Sequence, residues 1–410
     1  MFNSLLHAVA LAVALLPAAA IAAPLTLDQA LDLAVQRSEA ARAARAGVAS
    51  AAQAARAAGQ LPDPVFRVGV DNLPVTGGDR FSTTRDTMTM KRIGIGQEWI
   101  SGDKRAARQA AADAMLDRES VMVQAAAADV RLQTALAYLD AYYAGESLKL
   151  TAFAEHHLHE EFEAAKGRLS AASASAQEVL AASSARGIAE DESSEVRQQQ
   201  SAARVALERW VGVASSELSP PAGLYAVAEQ AYVDGHPSVL AARSDLEIAR
   251  QDANLASSNR KPNWSWELSF GQRSGYSDMV SVGVSIPLPV APAERQDREI
   301  GAKLALVDKA QAALAEATHA AQGEFRVLAS DSRRLAERIE RYQASVVVPA
   351  GERTTAAMAG YGANQLTLTT LFDARHMELQ AQQKLLKLQR DLAKTQAQLV
   401  FKPLVAGDAR

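Results

Sequence analysis

The sequence predicts a mainly α-helical protein with a small β portion, in which one arrangement of elements occurs twice. Apolar residues make up 48% of the 410 residues but aromatic residues only 5%, and the surplus is alanine, which favours helices that approach closely. Four short segments alternate apolar and polar residues in the manner of β-strands. They form two pairs, so each copy has the order helix, strand, strand, long helix, helix.

Residues 1–23 predict a secretory signal peptide. A continuous apolar stretch covers 8–16, and Ala20 and Ala22 have the small-residue spacing of a cleavage site. The stretch is short for a spanning helix, which needs about 20 residues. The segment before it has no Lys or Arg, which departs from the usual pattern, and a buried N-terminal helix is the alternative. We expect a secreted chain whose mature form begins near residue 24.

The first copy begins with the N-terminal helices of 24–62, where Thr26 and Gln29 form a capping box ahead of an Ala-rich stretch. A first β-hairpin follows at 63–100, because its two segments alternate apolar and polar residues around a Gly-containing loop. We therefore expect a change from helical to strand periodicity near residue 62.

A long helical hairpin is predicted at 101–211. No proline occurs from about residue 104 to 168, and a helix of that length would extend roughly 95 Å. Such a helix needs antiparallel neighbours along its length. The Pro- and Gly-containing segment 212–236 is predicted to be a connector.

The second copy repeats this order. It has a helix at 237–262, a second β-hairpin at 263–289 and a second long helical hairpin at 290–401, with a predicted break at Pro349. Residues 402–410 form a C-terminal tail.

The predicted strands carry the signals of a membrane protein. Trp99, Trp264 and Trp266 lie in them, and amphipathic rings of this kind concentrate at membrane interfaces. After the leading segment no window of 18 apolar residues occurs, so passage through a membrane would be by strands. Since a small closed barrel needs about eight strands, several chains must combine their strands.

Composition excludes several function classes. The formal charge is −4, which argues against nucleic acid as a partner. The chain has no cysteine and therefore no disulfide, thiolate zinc site or lipid-acceptor Cys. It also lacks the GxxxxGK[ST], HExxH and GxSxG motifs, so we expect neither an enzyme nor a resident cofactor.

Two helix turns carry a family resemblance: AASASAQEVLAASSAR at 171–186 and YGANQLTLTTLFDAR at 361–375. With the repeated order of elements, they make the chain resemble the TolC family of outer-membrane efflux channels over essentially its whole mature length. The resemblance implies a trimer with a 12-stranded β-barrel in the outer membrane, continued by a 12-helix tunnel across the periplasm.

The resemblance also implies roles for these turns. Family members contact a periplasmic adaptor through the turn tips, and a residue in the left-handed conformation separates the two helices. That residue aligns with Ala172 in the first turn and Asn364 in the second. The implied adaptor contacts are Ala171, Ala172, Ser173, Ala363, Asn364 and Gln365.

The family's closed periplasmic entrance is lined by acidic side chains of the second return helix, and the two matching positions here are Asp373 and Thr370. Glu178 is the counterpart acid in the first half, and Arg375 is assigned to the same entrance. Asp373 keeps one of the two usual acids, and Thr370 replaces the other. Arg168, Arg186 and Arg375 lie near enough in sequence to pair with the acids Asp373 and Glu178. The alternative is that Asp373 lies on a solvated helix face.

Residues 61–64 (LPDP), 71–77 (DNLPVTG) and 88–90 (MTM) are similar to the family's heavy-metal branch, which serves copper/silver or cobalt/zinc/cadmium efflux. The implied partners are a homotrimer, an adaptor, an inner-membrane pump of the RND type and outer-membrane lipid. Multidrug efflux or type I protein secretion by the same fold is an alternative. A periplasmic adaptor and a structural coiled coil are further ones.

No resident metal site is predicted, although four side chains are candidates. His156 and His159 are one helical turn apart, and Met88 and Met90 are on one side of a strand. For the histidines a solvated helix face is the favoured explanation, and for the methionines ordinary strand packing is.

Overall fold

The computed structural model describes residues 24–172, 174–214, 217–223, 227–363 and 365–404. The predicted signal peptide lies outside them. Within these ranges the chain is mainly helical and contains one sheet. No helix in the described ranges is both long and apolar enough to cross a membrane.

The same order of elements occurs in both halves of the chain. The first half contains α1 (Leu27–Arg37), α2 (Glu39–Ala58), β1 (Val65–Asp71), β2 (Met90–Trp99), α3 (Gly102–Ser170) and α4 (Ala176–Val211). The second half contains α5 (Glu229–Asp234), α6 (Pro237–Ser258), β3 (Trp264–Gln272), β4 (Met279–Ser285), α7 (Gln296–Tyr342), α8 (Val348–Gly362) and α9 (Leu368–Phe401).

The four strands form one antiparallel sheet in the order β1-β2-β3-β4. The two β-hairpins therefore join through β2 and β3, where Ile95 lies opposite Leu268. Since side chains alternate between faces, one face is apolar. Its members include Phe66, Val68, Ile93, Ile95, Leu268, Phe270, Val280, Val282 and Val284.

The opposite face of the sheet carries small and charged residues. A Cβ at Gly94 would lie 2.9 Å from that of Ser269, so glycine lets β2 and β3 approach closely there. Nearby, Arg67 pairs with Glu267 (2.5 Å), and Arg92 bridges Glu267 (3.3 Å) to Asp71. The sheet is therefore apolar on one side and polar on the other.

Two helical hairpins extend from the sheet. The 69 residues of α3 span about 100 Å, and α4 returns beside it, while α7 and α8 together form the outgoing arm that α9 accompanies back. Near the middle of α3 an apolar core joins α1, α3, α4 and α9. Its buried members include Leu27, Leu31, Tyr138, Leu139, Leu207, Val211 and Ala397.

The break predicted at Pro349 is a change of helix type and not an end of the helix, because the chain stays helical through this residue. A π-helical turn at Gln343–Val347 separates α7 from α8, and Pro349 lies in the first turn of α8. Since the helix continues through this position, the missing N–H of Pro349 leaves a carbonyl of the preceding turn without its usual donor. The wider turn accommodates the proline without ending the helix.

Tyr138 links the apolar core around the middle of α3 to the connector at 212–236. Its hydroxyl lies 2.7 Å from the carbonyl oxygens of Leu25 and Ser219, next to the β-bridge between Leu25 and Leu218. Burial raises the pKa of Tyr138 to about 12. The hydroxyl therefore stays protonated and donates at all physiological pH values.

Tyr138→Phe is expected to destabilise the protein by about 1–3 kcal/mol, because buried carbonyl groups lose their donor. A lower midpoint of chemical unfolding in detergent measures this. Tyr142→Phe is the control, since the Tyr142 hydroxyl makes no hydrogen bond within the described residues. Equal midpoints for the two variants would contradict the assigned role of Tyr138.

Candidate functional site

The turn of the first hairpin is an exposed tip. The C-cap of α3 is Ala171, and the next residue, Ala172, has φ of 58°, which confirms the left-handed conformation predicted for it. Ser175 then caps α4, because its hydroxyl accepts the N–H of Glu178 (3.2 Å). Ser173 lies outside the described residues. Glu178 is thereby fixed in the first turn of α4.

The turn of the second hairpin has the same plan. The C-cap of α8 is Ala363, and the N–H of Gln365 donates to a carbonyl of the last turn of α8 (2.8 Å). Thr367 caps α9 by accepting the N–H of Thr370 (3.3 Å). Asn364, the predicted left-handed residue, lies outside the described residues. Thr370 and Glu178 occupy corresponding positions, the third residue of their helices.

The two tips pack against each other within one chain. The Arg168 guanidinium lies over the ring of Tyr361 of the second hairpin (5.2 Å), whereas Arg186 lies over Phe162 within the first hairpin (4.4 Å). An apolar cluster fills the space between the hairpins. Its buried members are Ala165, Ala182, Ala357, Leu368, Leu371, Phe372 and Ala374.

The arginine pairs predicted from sequence proximity are wrong at two positions. Arg375 pairs with Glu161 of α3, and Arg186 pairs with Glu190 one turn further along α4 (3.2 Å). Residues two apart, such as Asp373 and Arg375, point to different sides of a helix, so Arg375 reaches the neighbouring hairpin instead. The pair of Arg375 therefore crosses between the hairpins, whereas the pair of Arg186 stays within α4.

Two contacts of α9 connect the hairpins just above the tips. Burial raises the pKa of Glu161, and the charge of Arg375 opposes this effect. One residue along, His376 Nδ1 lies 3.7 Å from a carboxylate oxygen of Glu192 in α4. The second hairpin is thus held to both helices of the first.

Asp373 differs from these paired groups. Its side chain is exposed, and it makes no hydrogen bond or ion pair with any residue that the structure describes. Its carboxylate is therefore available to a ligand or to a neighbouring chain.

The three predicted interface tryptophans lie together at the helical end of the sheet. Trp99 and Trp264 are opposite each other, with ring centroids 6.0 Å apart, and Trp266 lies two residues further on the same apolar face. Next to them, Lys104 Nζ donates to Asn263 Oδ1 (2.7 Å) and links α3 to the start of β3. The rings thus mark the boundary between sheet and helices.

The metal candidates do not converge on one site. His156 and His157 both approach Glu160, at 3.4 and 3.2 Å. The placement of both methionines in one strand is wrong, because Met88 is exposed in the loop before β2 and only Met90 lies in that strand. Across the described ranges, no group of three or more His, Asp or Glu side chains is placed to hold a metal ion.

A partly buried polar network around Glu324, which sequence reasoning missed, links the C-terminal end of α9 to α5, α6 and α7. Glu324 of α7 accepts from Tyr232 (3.1 Å), pairs with Lys402 and lies 3.5 Å from His236 Nε2. Burial lowers the pKa of His236. Burial acts to raise the pKa of Glu324, but Lys402 leaves it lowered overall. Nothing in the local sequence links these four residues.

Acid is expected to destabilise the protein through His236. Its pKa is lowered on folding, so below its ordinary value of 6.5 the unfolded chain binds more protons and stability falls. Glu324 contributes to this loss of stability only below its ordinary pKa of 4.5. Between pH 7 and 5.5 the melting temperature should therefore fall less in His236→Asn, where Asn can still cap α6, than in the unmodified protein. Parallel curves of melting temperature against pH for the two proteins would contradict the role assigned to His236.

Solved structures of outer-membrane channels share this fold. The outer membrane protein VceC of Vibrio cholerae is 18% identical with a TM-score of 0.75, and the match covers 92% of this chain and 96% of VceC. The CmeC outer membrane channel of Campylobacter jejuni is 13% identical with a TM-score of 0.76, covering 92% and 85%. CusC is 14% identical with a TM-score of 0.73, covering 92% of both chains. No family model and no curated protein sequence matches the chain. The chain therefore has the TolC-like fold.

Proposed function

We propose that this chain is the outer-membrane channel of a tripartite efflux system, which passively conducts substrate from an adaptor and an inner-membrane pump to the outside. One observation carries the proposal: a sheet with a continuous apolar face is joined directly to two long helical hairpins whose tips lie together at the far end. A channel that crosses the outer membrane and the periplasm needs a membrane-embedded part and an entrance far from it.

The sheet supports an outer-membrane location and a homotrimer. Its apolar face is exposed in the single chain, with Val282 at 76% and Phe66 at 69%. Three copies of four strands give the 12-stranded barrel that the resemblance implies, with this face toward lipid and the Gly, Ser and ion-paired face toward the lumen. The tryptophans at the helical end then lie at the periplasmic interface.

The hairpin tips are the proposed entrance and adaptor surface. Ala171, Ala172, Ala363 and Gln365 are exposed there, while Asp373 and Glu178 supply carboxylates that three-fold symmetry would arrange in rings. The pump, proposed to be of the RND type, supplies the energy, so the channel needs no catalytic residue or cofactor of its own.

The proposed cargo is heavy-metal cations. The support is the similarity of 61–64, 71–77 and 88–90 to the metal branch, together with the acidic entrance. Drug efflux and type I secretion use the same fold and are the alternatives. An adaptor or a structural coiled coil fits less well, because neither accounts for an apolar sheet with tryptophans at its edge.

Growth of a clean deletion strain tests the function and the cargo together. Its inhibition is compared with that of the complemented strain in copper, silver, zinc, cadmium, cobalt and several lipophilic drugs. Sensitivity to one metal group supports the metal channel, and sensitivity to drugs alone keeps the channel but rejects the metal cargo. Unchanged growth, together with absence of a trimer from outer-membrane extracts, rejects the proposal.

Asp373→Ala is expected to raise leak conductance and weaken block by multivalent cations, because a ring of three carboxylates is lost from the entrance. Single-channel recording in planar bilayers measures both effects. Asp191→Asn, which removes an exposed acid of α4, is the control. Traces that match the unmodified channel would remove Asp373 from the gate.

A further inference from the structure

A cavity of about 550 Å³ lies between the two hairpins. It is bounded by α3 and α4 on one side and by α8 and α9 on the other, and on α8 it begins at Met358, about 6 Å from the end of that helix. Phe372 of the apolar cluster between the tips and Arg375 of the Arg375–Glu161 pair line its tip side. Its volume is in the range of small-molecule sites.

The walls of this cavity are mainly apolar. Leu150, Leu158, Phe372 and Leu379 line it. Three further lining side chains remain substantially exposed, namely Phe153 (67%), Ile188 (52%) and Met358 (44%). Since large apolar groups are normally covered, an aromatic ring left exposed at a cavity is available to contact an apolar ligand.

The charged groups of the cavity are predominantly acidic. Glu192, Asp373 and Glu378 all line it, whereas the guanidinium of Arg375 is already paired with Glu161. Glu378 accepts from the neutral amide of Gln382 (3.2 Å). The partner of Glu192 is an imidazole, which is charged only when protonated. The cavity therefore carries carboxylates without matching cations among the described residues.

We propose that this cavity binds a lipophilic organic cation, one per chain, whose aromatic or aliphatic body lies on the apolar walls and whose charge faces Asp373 and Glu192. The exposed ring of Phe153 extends the apolar wall that contacts the body of such a cation. A bare metal ion fits less well, because the described carboxylates and imidazoles do not cluster in threes and most of the wall is apolar. The site is formed within one chain and goes beyond the proposed conduit.

Equilibrium dialysis of radiolabelled tetraphenylphosphonium against the purified full-length protein in detergent tests this. Protein-free micelles give the background. The expected result is saturable binding of one cation per chain, with the neutral triphenylphosphine oxide binding at least about tenfold more weakly. Equal binding of the neutral compound, or a signal that does not saturate, would overturn the proposal.

A charge-matched pair of variants locates the site. Glu192→Gln with Asp373→Asn removes two carboxylates from the cavity and should weaken binding about tenfold. Asp191→Asn with Glu195→Gln removes two exposed acids of α4 that do not line it, and its affinity should be unchanged. Equal affinities for both double variants, in protein with an unchanged helical circular dichroism spectrum, place the cation elsewhere and reject the proposal. Because binding is measured directly, the result is independent of channel activity.

Discussion

Val282→Lys is expected to abolish the accumulation of assembled trimer in the outer membrane. Val282 lies in the middle of β4, opposite Leu268 on the apolar face, and is 76% exposed in the single chain. A lysine on the lipid face near the bilayer midplane costs about 2–4 kcal/mol. A trimer incurs this cost three times, which is comparable to the whole stability of an ordinary domain.

Ser281→Lys is the matched control for this prediction. It introduces the same side chain one residue away, on the opposite face beside Ser269, where water would fill the lumen. Trimer in outer-membrane fractions is measured by native electrophoresis of both variants. We expect a normal amount for Ser281→Lys and little or none for Val282→Lys. Equal amounts would show that the apolar face does not contact lipid.

The strands were predictable because their signal is local. Alternation over 264–272 determines which side chains share a face, and the structure has a strand there. The left-handed residue of the first turn was identified through the family resemblance, because alanine by itself disfavours that conformation. Its position therefore depends on the aligned turn and not on the residue type.

The contacts between hairpins were not predictable, because they depend on how long helices are aligned along each other, here α3 of about 100 Å and α9 of about 50 Å. A shift of one helical turn would give Arg375 a different partner from Glu161, and nothing in a single sequence determines that shift. The network around Glu324 joins residues from four elements, and the cavity beside Asp373 involves four helices. Such features require the packed structure.

Arg375→Ala is expected to give a leaky channel. The Arg375–Glu161 pair joins α9 to α3 above the tips, so separation of the hairpins at the entrance must break it. The two side chains keep 25% and 20% of their surface exposed, so the closed arrangement should lose about 1–3 kcal/mol, less than for a fully buried pair. Leak conductance in planar bilayers, and entry of a large antibiotic into cells, should both rise.

Two further variants test whether the Arg375–Glu161 pair holds the two hairpins together at the entrance or only adds to the general stability of the protein. Arg197→Ala removes an ion pair with Glu155 (2.6 Å) that joins α3 to α4 within one hairpin, and its leak should stay at the level of the unmodified channel. Exchanging the charges, with Glu161→Arg and Arg375→Glu together, should restore closure at least partly because opposite charges again face each other. If Arg197→Ala leaks as much as Arg375→Ala, or if the charge exchange leaves the leak conductance unchanged, the Arg375–Glu161 pair does not hold the entrance closed. A selective effect of Arg375 would instead mean that the entrance opens by movement of the second hairpin away from the first.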